Sequence, residues 1–437
     1  MFARLRSTWF DINASYWFYP ALFAVSGLIL ALGLVHADRI GAAEFVSDWK
    51  WVSPARPNGA SNMLTVLASS MIGVASTVFS ITIAAVAYAS GTYGPRILTN
   101  FMEDKGNQLS LATFVGTFVY AITVLRSVRS EDEASLFLED ATATAAPGFV
   151  PQLSLLVAFL MMICAVAVLV YFLHHIPSSI RINTVIEDIA AKLLDAIPRR
   201  FPDHGDAEPS KGEPPEGAKV DGNATGYVRV IDFASLRELA QKHEMKLWLF
   251  VRTGDFVYPG KALIGIDRKT VPDDVRKAVS ECLAVGASRT PEQDLEFPID
   301  ELVEIALRAL SPGINDPFTA ITATHWLSAA TTELGRRSLV DEESEPRDEE
   351  RCVFALRDGF DHFLERGFGA ARSALASNRM AALVALDSLA SAIRSVEGAA
   401  RPSMLRHEAA RLLEQAECAL VGPDLEDVRA RYRELFA

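Results

Sequence analysis

Four stretches of this 437-residue chain are long and apolar enough to cross a bilayer, and they constrain the fold more than any other feature. They run from about Phe18 to Val35, Met63 to Ala89, Leu109 to Leu125 and Leu153 to Leu173. A helix needs about 20 apolar residues to span the hydrocarbon layer. Inside that layer each backbone N–H and C=O has to be paired within its own segment, so every stretch is expected to be a continuous helix. The fourth carries no charge at all. Arg4 and Arg6 precede the first, as in a signal sequence, but its apolar run is long for that role and no convincing small-residue cleavage pattern follows. It reads as a retained helix.

Charge separates the two halves of the chain. Up to residue 175 there are 9 Lys+Arg against 11 Asp+Glu, and the remainder holds 33 against 44. The acidic second part argues against nucleic-acid binding, which needs a basic footprint to neutralise phosphates. Arg4 and Arg6 at one end, and Arg181, Lys192, Arg199 and Arg200 after the fourth span, put both termini in the cytoplasm by the positive-inside rule. The aromatic cluster from Trp9 to Tyr19 suits the headgroup belt on that side. Cys164, Cys282, Cys352 and Cys418 are too far apart to suggest a disulfide framework or zinc site, and read as inert thiols in a reducing compartment.

The second span is the unusual one. Ser69, Gly73, Ser76, Thr77, Ser80, Ala84 and Ala87 recur every three or four residues and so share one helix face. Two readings compete. Small residues and hydroxyls let helices pack closely, or a hydroxyl stripe lines a water-filled path. Four spans enclose little, so a path requires a homo-oligomer. In that reading Glu131, Asp132, Glu133, Glu139 and Asp140, between the third and fourth spans, ring the outer mouth and concentrate cations. Thr113, Gly116, Thr117 and Tyr120 of the third span have the same spacing, which suits packing of spans two and three. His174 and His175 close the fourth span, either as interfacial anchors or as a pH-sensing collar.

The expected architecture is a mainly α membrane protein, with four transmembrane helices followed by a cytoplasmic α+β region. Residues 1–15 form an N-terminal segment and 16–175 the membrane domain. Residues 176–200 form an amphipathic extension with Ile182, Val185, Ile186, Ile189, Leu193 and Leu194 on one face. A Pro/Gly-rich linker covers 201–222, a small β-rich module 223–270 and a helical bundle 271–437. Gly254 to Leu263 is similar to the hairpins of barrel-sandwich carrier domains, without the Met-Lys tip a carrier needs. Thr290-Pro291-Glu292-Gln293 has the form of a capping box.

The bundle is interrupted at Leu310-Ser311-Pro312-Gly313-Ile314-Asn315-Asp316-Pro317-Phe318. Ser311-Pro312-Gly313 stops one helix, and Asp316-Pro317 starts the next with Asp as cap and Pro at the first position. That accounts for most of the motif structurally. The alternative is that Arg289, Gln293, Asp294, Asn315 and Asp316 converge on a ligand.

Taken together, Val78 to Thr82, Tyr93 to Leu98 with Asn100 to Met102, Gly116 to Tyr120, His174 to Ile176 and Leu310 to Ala320 carry a resemblance. The chain resembles the bacterial membrane proteins grouped as domain of unknown function 2254. The resemblance implies four membrane helices and a cytoplasmic region in the bacterial inner membrane, and it brings no substrate, cofactor or site residues.

No enzyme motif is present: neither a phosphate-binding Gly-Lys-Ser/Thr loop, nor His-Glu-x-x-His, nor Gly-x-Ser-x-Gly. No cofactor and no metal are expected. The sequence supports an oligomeric inner-membrane channel, lined by the second span, favouring cations through its acidic outer mouth and gated by its cytoplasmic domain. Its rival is a membrane-anchored protein whose cytoplasmic bundle binds a ligand or protein partner. The partners expected are the bilayer, a second copy of the chain and, for the channel, ions.

Overall fold

The structure, a computed structural model, describes residues 12–13, 15–41, 56–94, 104–129, 149–208, 216–291, 293–340, 352–356 and 358–436. Two compact units emerge. One draws on residues 12–91 and 96–180, the other on 92–95 and 181–437.

The four apolar stretches form the helices of the first unit: α1 (Phe18–Arg39), α2 (Pro57–Tyr93), α3 (Lys105–Leu125) and α4 (Gln152–Ser179). With 37 residues, α2 is roughly 55 Å long at ~1.5 Å per residue, well beyond the ~30 Å hydrocarbon core. The close packing expected between spans two and three occurs instead between α1 and α3. A Cβ on Gly27 would lie 2.6 Å from the Gly116 carbonyl oxygen, and one on Gly116 would lie 3.0 Å from that of Phe23. Only small residues permit such an approach of two backbones. Tyr120 turns to α4, donating to the Ser154 carbonyl at 2.8 Å.

Two carboxylates fasten the helix ends. Asp38, at the end of α1, accepts from the Leu153 and Ser154 amides at 3.0 Å each and from the Ser154 hydroxyl at 2.7 Å. It therefore caps α4 from another helix, where unpaired amides and the helix dipole favour an anion. Asp104 caps α3 through the Gly106 amide at 2.8 Å.

In the second unit, α5 (Ile182–Arg200) buries Val185, Ile186, Ile189, Leu193 and Ile197 against the later helices α8 (Glu296–Ala309) and α9 (Pro317–Gly335). Between them lie two small sheets. One has the order β1 (Ala218–Asp221), β5 (Ala262–Ile266), β3 (Leu247–Leu249), β7 (Val353–Phe354), with only the β3–β7 pair parallel. The other runs β4 (Phe256–Val257), β2 (Gly226–Ile231), β6 (Leu283–Gly286), all antiparallel. The segment expected to be a carrier-like hairpin is not one. β4 and β5 belong to different sheets, and the Gly260 turn (φ +88°) sends the chain from one to the other. Helices α6 (Phe233–Lys242) and α7 (Asp273–Ser280) cover the shared core, so the module continues past residue 270 to Gly286 and recruits Val353.

After β7 come α10 (Phe360–Leu364), a π-helical turn (Glu365–Gly369), α11 (Ala370–Ala376), α12 (Arg379–Ser395), α13 (Ala400–Ala419) and α14 (Pro423–Phe436). The start of the expected linker is pinned rather than loose. Arg401, 1% exposed, donates to Glu208 at 2.7 Å and to the carbonyls of Gly205, Ala207, Gly335 and Arg337 at 2.7–3.1 Å. A buried guanidinium is tolerated because its fork of donors is matched by acceptors.

Candidate functional site

The approach to α8 gathers most of the unit's buried charge. Thr290 to Gln293 does not start the helix as a capping box would. Asp294 does the capping, accepting from the Glu296 and Phe297 amides at 3.0 and 3.2 Å. Its other oxygen takes Nε and Nη2 of Arg289 at 2.8 and 2.6 Å, and Arg289 Nη1 reaches Asp300 at 2.5 Å. Arg366, in the π turn, grips Asp300 with two parallel bonds of 2.5 and 2.6 Å and lies 3.4 Å from Glu296. π turns are frequent where a helix has to aim a functional side chain. Glu296 meets His362 Nε2 at 2.8 Å and Arg252 Nη1 at 3.4 Å, and the same guanidinium pairs with Asp358. Space for this ladder depends on Gly254. At its φ of +92° a Cβ would sit 2.4 Å from the Asp294 carboxylate and 3.0 Å from Arg289.

The environments set the carboxyls apart. Burial raises Asp294 to about 6 despite the opposing Arg289. Burial would also raise Glu296, but the His362 hydrogen bond and the charges of Arg366 and Arg252 outweigh it and hold the group down at about 2. Burial works against the Arg289 charge, and Asp294 and Asp300 overcome it, so its net shift is upward. Glu296, Asp358 and His362 each offer a ligand atom, all within 4.8 Å of one another, and are the group here able to hold a metal ion.

Beside the ladder lies a cavity of about 520 Å³. Arg252, Asp294 and Asp358 form its charged wall. Phe201, Phe233, Leu249, Leu295 and Phe363 supply its apolar lining. Lys192, Ala196, Arg199 and Arg200 of α5 also line it; Arg199 pairs with Asp195, and Arg200 donates to the Gln293 carbonyl at 3.3 Å.

Of the five residues expected to converge on a ligand, the structure brings together three. Arg289 and Asp294 are in the ladder, and Gln293 lines the cavity but uses its side-chain amide on the backbone of Ile231, at 2.9 and 3.3 Å. Asp316 and Asn315 are separated from them by the 14 residues of α8, a length of ~20 Å. Asp316 caps α9 through the Thr319 amide at 3.2 Å, and Asn315 is exposed in the turn at φ +50°. The motif is therefore a helix-to-helix turn.

In the first unit, the proposed pore-lining residues Ser69, Gly73, Ser76, Thr77 and Ser80 are all exposed, on the side of α2 opposite its buried Leu64, Leu67, Met71, Ala75 and Val78. The Thr77 and Ser80 hydroxyls donate to carbonyls four residues back, at 3.0 and 2.9 Å. His175 meets Asp104 at 2.7 Å and stacks on Tyr171, whereas His174 is exposed. Glu131, Asp132, Glu133, Glu139 and Asp140 lie outside the described residues.

Sequence reasoning missed Arg252, Glu296, Asp300, Asp358, His362 and Arg366. The one local signal was the spacing of Asp358, His362 and Arg366 by four, the interval of a helix face, although Asp358 lies just before α10.

A four-helix membrane unit followed by an α+β unit with a charged, cavity-bearing centre defines a multi-span membrane protein with a substantial extramembrane part. The chain belongs to the predicted membrane protein family DUF2254, whose sequence profile matches residues 13–391. It is 30% identical over 387 residues to Uncharacterized protein Rv1290c of Mycobacterium tuberculosis strain H37Rv, covering 86% of this chain and 69% of that protein. The same figures hold for Uncharacterized protein Mb1321c of Mycobacterium bovis. No solved structure matches.

Proposed function

We propose that this is a membrane-anchored receptor whose C-terminal unit, on the cytoplasmic side of the bacterial inner membrane, binds a small organic anion with an apolar body. The observation that carries this reading is the 520 Å³ cavity, whose lining joins Phe201, Phe233 and Phe363 to Lys192, Arg199 and Arg200. Ligand sites are typically concave, mostly apolar and oriented by a few polar groups, at ~300–1,000 Å³. The cations favour a carboxylate or phosphate, and the phenylalanines favour an aromatic or aliphatic body. The role proposed is binding rather than catalysis.

Fluorescence titration of the protein in nanodiscs with mant-ATP, a phosphate-bearing aromatic anion, tests this. The reading expects saturable binding that weakens at least ~10-fold in the Lys192→Glu/Arg199→Glu double variant, the scale of losing a charge-assisted contact. Ala196→Trp, which fills the cavity, should abolish it. Equal signals from wild type and both variants would contradict the reading.

A second reading rests on the outward hydroxyl face of α2: several copies of the chain assemble around it into a channel. Ser76→Leu with Ser80→Leu should then abolish ion flux into liposomes without changing assembly, and unchanged flux would remove the lining assignment.

A further inference from the structure

We propose that Glu296, Asp358 and His362 form a binding site for a divalent transition-metal ion, which enters by displacing the Arg252 guanidinium. Glu296 opens α8, Asp358 lies just before α10 and His362 lies within it, and their ligand atoms already converge. His362 Nε2 is 2.8 Å from Glu296 Oε1 and 3.7 Å from Asp358 Oδ1. Metal–ligand bonds of ~2.0–2.2 Å in a tetrahedral site put neighbouring ligands roughly 3.3 Å apart, so little movement is needed. One imidazole with two carboxylates suits zinc or manganese better than the all-oxygen environments of calcium or magnesium. Three protein ligands leave a further position for water or for a molecule in the cavity.

Charge points the same way. The ladder holds the carboxylates of Asp294, Glu296, Asp300 and Asp358 against the guanidiniums of Arg252, Arg289 and Arg366. With His362 neutral that leaves one negative charge in excess, in a region where an uncompensated charge is expensive. A divalent ion in place of Arg252 balances the four carboxylates.

Arg252 is also suited to leave. Its Nη1 stands among the three ligands, 3.4 Å from Glu296 and 3.3 Å from His362. Its Nε is buried with no hydrogen-bond partner, 4.0 Å from Asp255. A small rotation toward Asp255 would satisfy that Nε and open the site, and both Arg252 and Asp358 border the cavity through which an ion would arrive. The inference does not depend on what else the cavity binds.

Metal content decides it. Full-length protein stripped with EDTA is dialysed against Zn²⁺ and, separately, Mn²⁺, and bound metal per chain is measured by inductively coupled plasma mass spectrometry. Wild type is expected to retain one ion of at least one of the two metals. Outer-sphere partners of a metal are worth ~10–100-fold in affinity, so removing a direct ligand, in His362→Gln or Asp358→Asn, should cost at least ~100-fold. Arg252→Ala should bind as tightly as wild type or more tightly, because a competitor is gone. Thermal unfolding of each variant identifies any that fails to fold, and either ligand variant suffices if the other does. Wild-type retention no greater than that of the folded ligand variant would overturn the proposal. So would binding by Arg252→Ala alone, which would make Arg252 the permanent occupant.

Discussion

The two units handle polarity in opposite ways. The membrane unit keeps its most polar helix face on the outside, where Ser76, Thr77 and Ser80 sit in the open, while its buried Asp38 is consumed in capping α4. The C-terminal unit draws its charges inward, into a ladder of acids and guanidiniums beside an apolar cavity. In lipid a serine or threonine satisfies itself on the carbonyl four residues back, so an outward hydroxyl face is cheap. In a protein interior a charge costs several kcal/mol unless paired, so a dense cluster persists only where the pairing is good or where something else completes it. Hydroxyls on α2 therefore report little about function by themselves, whereas the charges around Glu296 call for a specific explanation.

The largest effect is expected from Arg289→Ala. It leaves Asp294 buried without its guanidinium partner and Asp300 with Arg366 alone, a loss of ~3–5 kcal/mol for a broken buried pair. The C-terminal unit should lose its thermal transition or show it at much lower temperature, while the proteolytic fragment pattern of the membrane unit stays intact. A shift no larger than that of a surface substitution would show that the ladder is not holding the unit together.

Within the membrane unit a pair of glycines sharpens the contrast. Gly27→Val forces a side chain against the Gly116 carbonyl, and overpacking of this kind costs ~1–3 kcal/mol. Gly73→Val meets nothing within 4 Å in its own chain and should leave thermal stability in detergent unchanged. If Gly73→Val alters the oligomer seen by size-exclusion chromatography, the outward face of α2 is an interface between copies. The smallest effect belongs to the turn after α8. Asp316→Ala removes a helix cap worth ~1 kcal/mol and should lower the unfolding midpoint slightly, with no change in ligand or metal binding.

The membrane helices were legible because long apolar windows admit few alternatives, and only their ends moved: α2 and α4 continue past the apolar core through Tyr93 and Ser179. The α+β region was legible as a class, but β4 and β5 looked like a hairpin because both flank Gly260, and nothing local records that they join different sheets. Gly116 had the right small-residue spacing, yet spacing on one helix does not name the helix it meets. At the site, Arg289 and Asp294 were visible as neighbours in sequence. Arg252, Asp358 and His362 were not, because convergence of residues more than a hundred positions apart is a property of the packed chain. Asn315 and Asp316 misled for a physical reason: the residue types that recognise ligands also make turns and caps.

Whether the C-terminal cavity is a ligand site is decided by native mass spectrometry of the full chain released from its own membranes. A small anion is expected to be retained by wild type and absent from Ala196→Trp, with both proteins folded. The same bound species, or the same lack of any, in the two proteins would contradict it.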